Sequence, residues 1–186
     1  MKTGLFFGSF NPLHVGHLII AQYILNEANL DKIKFVVSPH NPLKIKDELI
    51  AQDLRMEMVK LSIEDNFQFE IETIEFQLPQ PSYTIDTLEA LMAQYPEEAF
   101  YIVMGSDSLA NIHLWKAYER ILAYPMLIYK RDANFINPFP DRPNIHVYDS
   151  PILNISATKI RNMLAHNQSV KYLVRDEIIS LLKKEL

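Results

Sequence analysis

The feature that most constrains this chain is the alternation of short apolar runs with longer stretches of helical period. Runs at 3–7, 33–38, 68–74, 100–104, 126–129 and 145–148 are rich in Val, Ile, Phe and Tyr, and several are continuous rather than alternating. A strand covered on both faces reads this way, because neither side-chain direction meets water. Residues 17–27 place Leu18, Ala21, Ile24 and Leu25, with Ala28 just beyond, at three- and four-residue spacings. Residues 52–63, 84–95, 115–123, 156–165 and 170–184 complete the predicted helices. The pattern predicts an α/β fold with a mostly parallel sheet and right-handed crossovers. Ligands in such sheets sit beyond the carboxyl ends of the strands, where the strand order reverses. The residues that follow each strand are therefore the first place to look for chemistry. Pro39 and Pro42 mark one loop, and Pro138, Pro140 and Pro143 another, which reads as an exposed insertion.

At 186 residues the chain is expected to form a single domain, with a helical C-terminal part from about residue 155. It has no cysteine, which removes disulfide frameworks, cysteine–zinc sites, iron–sulfur clusters and thiol nucleophiles. The longest apolar run, 99–104, is far short of the roughly 20 residues that span a bilayer. The start, MKTGLFFGSFNP, reaches Asn-Pro too early for a secretory signal. The expectation is a cytoplasmic protein with no membrane partner. The net charge of −5 argues against a general nucleic-acid binder. Residues 61–115 hold ten acidic and no basic side chains. An anion bound there must rely on neutral donors or helix ends, although the same run suits a solvated acidic face.

Two segments carry chemistry. The first is GSFNPLHVGHL, residues 8–18, at the end of the first strand. Gly8 suits a turn that other residues resist, and Gly16 leaves room for a ligand to approach the backbone. His14 and His17 fall on one side of a helix start, where free N–H groups suit a phosphate. The second is ISATKIR, residues 155–161: Ser156 reads as an N-cap, and Thr158, Lys159 and Arg161 follow. Cations at a helix start oppose its dipole, and a bound polyphosphate would reverse that cost. Taken singly, the first also reads as a helix start capped by an imidazole, and the second as a capped surface helix.

Together the two segments resemble the nucleotidyltransferase superfamily, with its H-x-G-H and I-S-x-T-x-x-R elements. Three further stretches make the chain most similar to the bacterial nicotinate-nucleotide adenylyltransferases. PSYTIDTL, 81–88, resembles that family's nicotinate-binding loop; MGSDSL, 104–109, resembles its G-x-D segment; Trp115 and Arg131 stand where it has a tryptophan and an arginine. The likeness runs from Gly4 to about Leu173. The departures are Phe7 for a glycine, Ser9 for threonine, Asn11 for aspartate, and Leu43-Lys44 where the family has His-Lys, with His40 upstream.

The resemblance implies a Rossmann-like three-layer fold. It implies transfer of AMP from ATP to nicotinate mononucleotide, giving deamido-NAD and pyrophosphate. His14, His17, Lys44 and Arg161 are then the catalytic set. Gly8, Ser9, Phe10, Gly16, Gly105, Asp107, Ser156 and Thr158 are expected to bind ATP. Ser82, Tyr83, Thr84, Trp115 and Arg131 are expected to bind the mononucleotide. Mg²⁺ is expected on the ATP phosphates, with no protein ligand. Nothing in the sequence speaks against a homo-oligomer, and His40 and the 132–144 loop receive no role. Competing readings are an adenylyltransferase for nicotinamide mononucleotide or phosphopantetheine, and a non-catalytic nucleotide sensor. The phosphopantetheine family usually has Thr at the position of His14 and lacks SYTIDTL.

Overall fold

The computed structural model describes residues 1–39 and 49–185. Six strands form one sheet: β1 (Lys2–Gly8), β2 (Lys32–Val37), β3 (Phe69–Glu72), β4 (Ala99–Gly105), β5 (Met126–Tyr129) and β6 (Ile145–Tyr148). Their order is β3-β2-β1-β4-β5-β6, and every pairing is parallel. The order reverses between β1 and β4, so the crevice expected of such a sheet opens above these two strands.

Side-chain alternation explains why the strands are apolar throughout. Phe6, Phe35, Val103 and Leu127 point to one face, and Leu5, Val36, Ile102 and Met126 to the other. Ile20, Ala21, Ile24 and Leu25 of α1 (Val15–Glu27), with Val59 and Ile63 of α2 (Gln52–Ile63), cover the first face. Ile85, Leu88 and Leu91 of α3 (Thr84–Gln94), Leu109 of α4 (Ser106–Ala110) and Ile121 of α5 (Tyr118–Ile121) cover the second. Burial of one such side chain contributes roughly 1.5–3 kcal/mol. A third cluster joins Met58 of α2 to Ile160 of α6 (Ala157–Ala165) and to Ile178 and Leu182 of α7 (Asp176–Glu185).

Two predicted helices are shorter than their periodicity suggested. Residues 115–123 hold only the short α5, because Trp115 closes a 3-10 turn (Ile112–Leu114) and Ala117 takes a left-handed φ of 52°. Residues 170–175 form a bridged turn rather than the first turn of α7, with Lys171 paired to Val174 and Tyr172 at φ 69°. Val170 and Val174 supplied the apparent helical period, and they do enter the third cluster. No helix among the described residues is long and apolar enough to cross a membrane.

Candidate active site

A cleft of about 700 Å³ opens where β1 and β4 end, and residues of both sequence segments line it. β1 ends at Gly8, and the chain then turns sharply. The left-handed residue in that turn is Phe10 (φ 44°), and none of the glycines has positive φ. Gly8 is therefore needed for space and not for the turn: a Cβ there would lie 2.7 Å from the Phe10 ring. That ring is buried, in edge contact with Phe6, Phe35 and His17, so Phe10 offers a ligand its backbone rather than its side chain. Gly16 likewise makes room for protein. A Cβ there would lie 2.6 Å from Ile155, so the glycine lets the loop before α6 close onto the start of α1.

His14 is the N-cap residue of α1, and His17 stands in its first turn. Their rings stack at 3.7 Å between centroids, 19° from parallel. The His14 backbone N–H donates to His17 Nδ1 at 3.2 Å. A neutral His17 must then carry its proton on Nε2, where it serves as a donor. Burial, helped by the nearby Arg131 guanidinium, lowers the pKa of His14 to about 4, so its imidazole is neutral near pH 7. The cleft thus offers a phosphate two imidazoles that do not repel each other.

Ser156 caps α6, its hydroxyl accepting from the Lys159 N–H at 3.2 Å. Thr158 and Arg161 line the cleft, and Arg161 Nη1 donates to the Asn11 carbonyl at 2.8 Å, which ties α6 to the β1 turn. Lys159 lines a separate, shallower surface groove. On the β4 side, Gly105 is the N-cap of α4 and Asp107 lies in its first turn. The Asp107 carboxylate pairs with Arg131 Nε at 3.6 Å, and the Arg131 N–H donates to Ser106 Oγ. Arg131 thus sits beside both Asp107 and His14.

The other end of the cleft is built on α3. Tyr83 is its extended N-cap residue, Thr84 begins the helix, and Ser82 precedes them, buried. Trp115 and Tyr83 pack together against the second core face and both line the cleft. Lys44 and His40 lie outside the described residues.

Three lining or supporting residues escaped the sequence reading. Lys116 stands over the Tyr83 ring, 4.7 Å from its centroid, and pairs with Asp86 at 2.7 Å. It brings a cation to the α3 end from one residue beyond the cation-free stretch. Its signal was adjacency to Trp115. Glu75 is buried and lines the cleft, yet reads as one more acid in an acidic run. Arg55, buried in α2, donates to the carbonyls of Ser9, Ser38, Pro39 and Ile50 at 2.6–3.1 Å. Among the described residues no three His, Asp or Glu side chains group as a metal site would.

The cytidylyltransferase-like family model matches residues 5–163. A protein of Flavobacterium johnsoniae named "Probable nicotinate-nucleotide adenylyltransferase" is 44% identical over 96% of this chain and 94% of its own length. A protein of the same name from Cytophaga hutchinsonii is 42% identical over 98% and 95%. Among solved structures, the Plasmodium falciparum nicotinic acid mononucleotide adenylyltransferase complexed with NaAD superposes with a TM-score of 0.82. It is 19% identical over 98% of this chain and 95% of that one, a likeness of fold. The ends of the sheet that build the cleft thus belong to a known lineage: the chain is a member of the cytidylyltransferase-like family and, within it, of the nicotinate-nucleotide adenylyltransferases.

Proposed function

We propose that the protein transfers AMP from ATP to nicotinate mononucleotide, releasing pyrophosphate and forming deamido-NAD. The observation that carries this reading is the single cleft that faces the His14–His17 pair and the α6 start at one end and the α3 N-terminus at the other. An oxygen of the mononucleotide 5′-phosphate attacks the α-phosphorus of ATP. The new P–O bond forms as the bond to the β-phosphate oxygen breaks, and pyrophosphate leaves with that electron pair. The nucleophile is ionised near neutral pH, its second pKa being about 6, so no general base is needed. The protein's task is alignment and stabilisation of charge on the transferring and leaving oxygens.

His17 suits the transferring phosphate, with its donor on Nε2. Arg161, Ser156 and Thr158 suit the leaving oxygens, and Lys44 is assigned to the same phosphates by resemblance. Asp107 fits ribose hydroxyls as an acceptor. A divalent cation, Mg²⁺ in this reading, would be held by the substrate phosphates rather than by protein side chains and would supply charge neutralisation there; the neutral imidazoles and the N–H donors of the cleft suit the phosphate oxygens themselves. The test is turnover: ATP and Mg²⁺ are mixed with nicotinate mononucleotide, its amide analogue or phosphopantetheine, and pyrophosphate is followed. The acid should be used at least ~10²-fold better than the amide in kcat/KM. Donors satisfied by a carboxylate meet an NH₂ in the amide, and an unpaired polar group costs ~1–3 kcal/mol beyond the lost charge-assisted bond. Preference for phosphopantetheine, or release from none, would replace this reading.

A further inference from the structure

A buried polar network lies on the second face of the sheet, and none of its side chains lines the cleft. Lys34 of β2 is 4% exposed, and its Nζ donates to Glu72 Oε2 of β3 at 3.2 Å. The same ammonium lies 3.9 Å from Glu98 Oε1 and 3.8 Å from the centroid of the Tyr95 ring. Glu98 is held in turn. The Thr3 hydroxyl donates to it at 2.6 Å, and Lys32, itself paired with Glu70, stands 3.5 Å away.

Glu72 faces two ways. Its Oε2 meets Lys34, and its Oε1 accepts the backbone N–H groups of Thr73 and Ile74 at 2.9 and 3.0 Å. Those donors stand at the entry to the Ile74–Phe76 turn, where a local side-chain acceptor fixes the path of the backbone. The turn puts Glu75 at the cleft wall, with its Oε1 2.9 Å from the Thr87 hydroxyl of α3. That hydroxyl also lies 3.2 Å from the carbonyl of Tyr83, the N-cap residue, so turn and helix start meet at one group. Ile74 joins Ile85 and Leu88 of α3 in the second core cluster. Lys34 reaches the same helix at its other end, since Tyr95 is the C-cap residue. One buried cation thus bears on the turn through Glu72 and on α3 through the Tyr95 ring.

We propose that Glu72, held by Lys34, is a positioning residue for the mononucleotide end of the cleft: it sets the 74–76 turn, and the turn sets where α3 begins. This rests on the reading of that end as a nicotinate mononucleotide site. A buried ion pair adds little net stability over an apolar pair of similar volume, so its consequence here is placement. The triphosphate end is braced separately, by Arg55 on the Ser9 carbonyl and Arg161 on the Asn11 carbonyl. A fault at Glu72 should therefore weaken use of the mononucleotide and spare ATP.

The experiment measures initial rates with ATP and nicotinate mononucleotide, each varied in turn. Glu72→Ala removes the acceptor for both N–H groups, and KM for the mononucleotide should rise about tenfold or more while KM for ATP stays within about twofold. Glu72→Gln keeps an oxygen for those N–H groups and should hold the mononucleotide KM within about threefold of wild type. A merely structural role would lower the melting temperature and move the two KM values together, or neither. If Glu72→Ala does not fold, amide exchange in the wild-type protein decides, read by NMR at Thr73 and Ile74. Because coupling is reciprocal, adding nicotinate mononucleotide should slow their exchange, and a non-hydrolysable ATP analogue alone should not. Parallel KM changes, a Gln variant as impaired as the Ala variant, or exchange indifferent to the mononucleotide overturns the proposal. Absence of pyrophosphate from the wild-type protein with nicotinate mononucleotide overturns the functional reading on which it rests. Normal wild-type turnover with unchanged KM values in Glu72→Ala overturns the role of Glu72 alone.

Discussion

At the scale of single residues, the stacked histidines differ in what they can do. His17 has its Nδ1 engaged by a backbone N–H, which leaves Nε2 as a donor. A donor that meets charge developing in the transition state is worth about 10²–10³-fold in turnover. His17→Ala should lower kcat by that factor with a smaller change in ATP binding, as measured by initial rates and equilibrium titration. Unchanged kcat with weakened ATP binding would make His17 a ground-state contact. His14 also affects stability. Its pKa in the folded state is about 4, against 6.5 for the free side chain. Between these values the unfolded chain binds a proton that the folded chain does not. Stability from this group is complete above about pH 6.5 and is lost as pH falls toward 4. The shift corresponds to about 3 kcal/mol. Urea unfolding from pH 7 to pH 4 should show a decline that is shallower in His14→Asn; parallel curves would refute the buried, neutral imidazole.

At the scale of elements, the strands were legible because covered strands are continuous apolar runs. β5 and β6 coincide with their sequence limits, and the other four differ by one or two residues at each end. Parts of the site were equally legible: each motif sits at a helix start or strand end, and Ser156 does cap α6. Lys116, Glu75 and Arg55 were not, because their roles depend on which element lies across the cleft, and no local spacing encodes that. The left-handed position is a similar case. Phe10 adopts it because its ring is anchored by Phe6, Phe35 and His17, a tertiary gain that outweighs the local preference for glycine. The α6 start carries its own test. Arg161 uses Nη1 on the Asn11 carbonyl, and its remaining donors are expected to meet phosphate. Lysine at this position keeps the charge and loses the planar fork. Arg161→Lys should therefore lower kcat/KM for ATP, and Arg161→Ala should lower it further. Full retention in the alanine variant would make Arg161 only a tie to the β1 turn.

At the scale of the whole molecule, three separate stretches of chain must converge for the cleft to exist, and Arg55 is placed where they do. Its guanidinium donates to the carbonyl of Ser9 after β1, to those of Ser38 and Pro39 after β2, and to that of Ile50 ahead of α2. The side chain is 1% exposed, and burial lowers its pKa. A cation in such a place is tolerated because carbonyl dipoles replace its water. The same α2 packs against α7 through Met58, Ile178 and Leu182, so Arg55 stands between the strand ends and the C-terminal helices. Arg55→Met keeps much of the apolar stem but leaves four carbonyls without this donor. The expected loss is about 2–4 kcal/mol, since each orphaned buried acceptor costs ~1–3 kcal/mol before relaxation. For a chain of this size that is a fall in Tm of roughly 4–16 °C, readable by calorimetry. Because Ser9 lies in the turn that presents the histidines, KM for ATP should also rise in protein that remains folded. A wild-type Tm with an unchanged KM would show that the strand ends hold their places without Arg55.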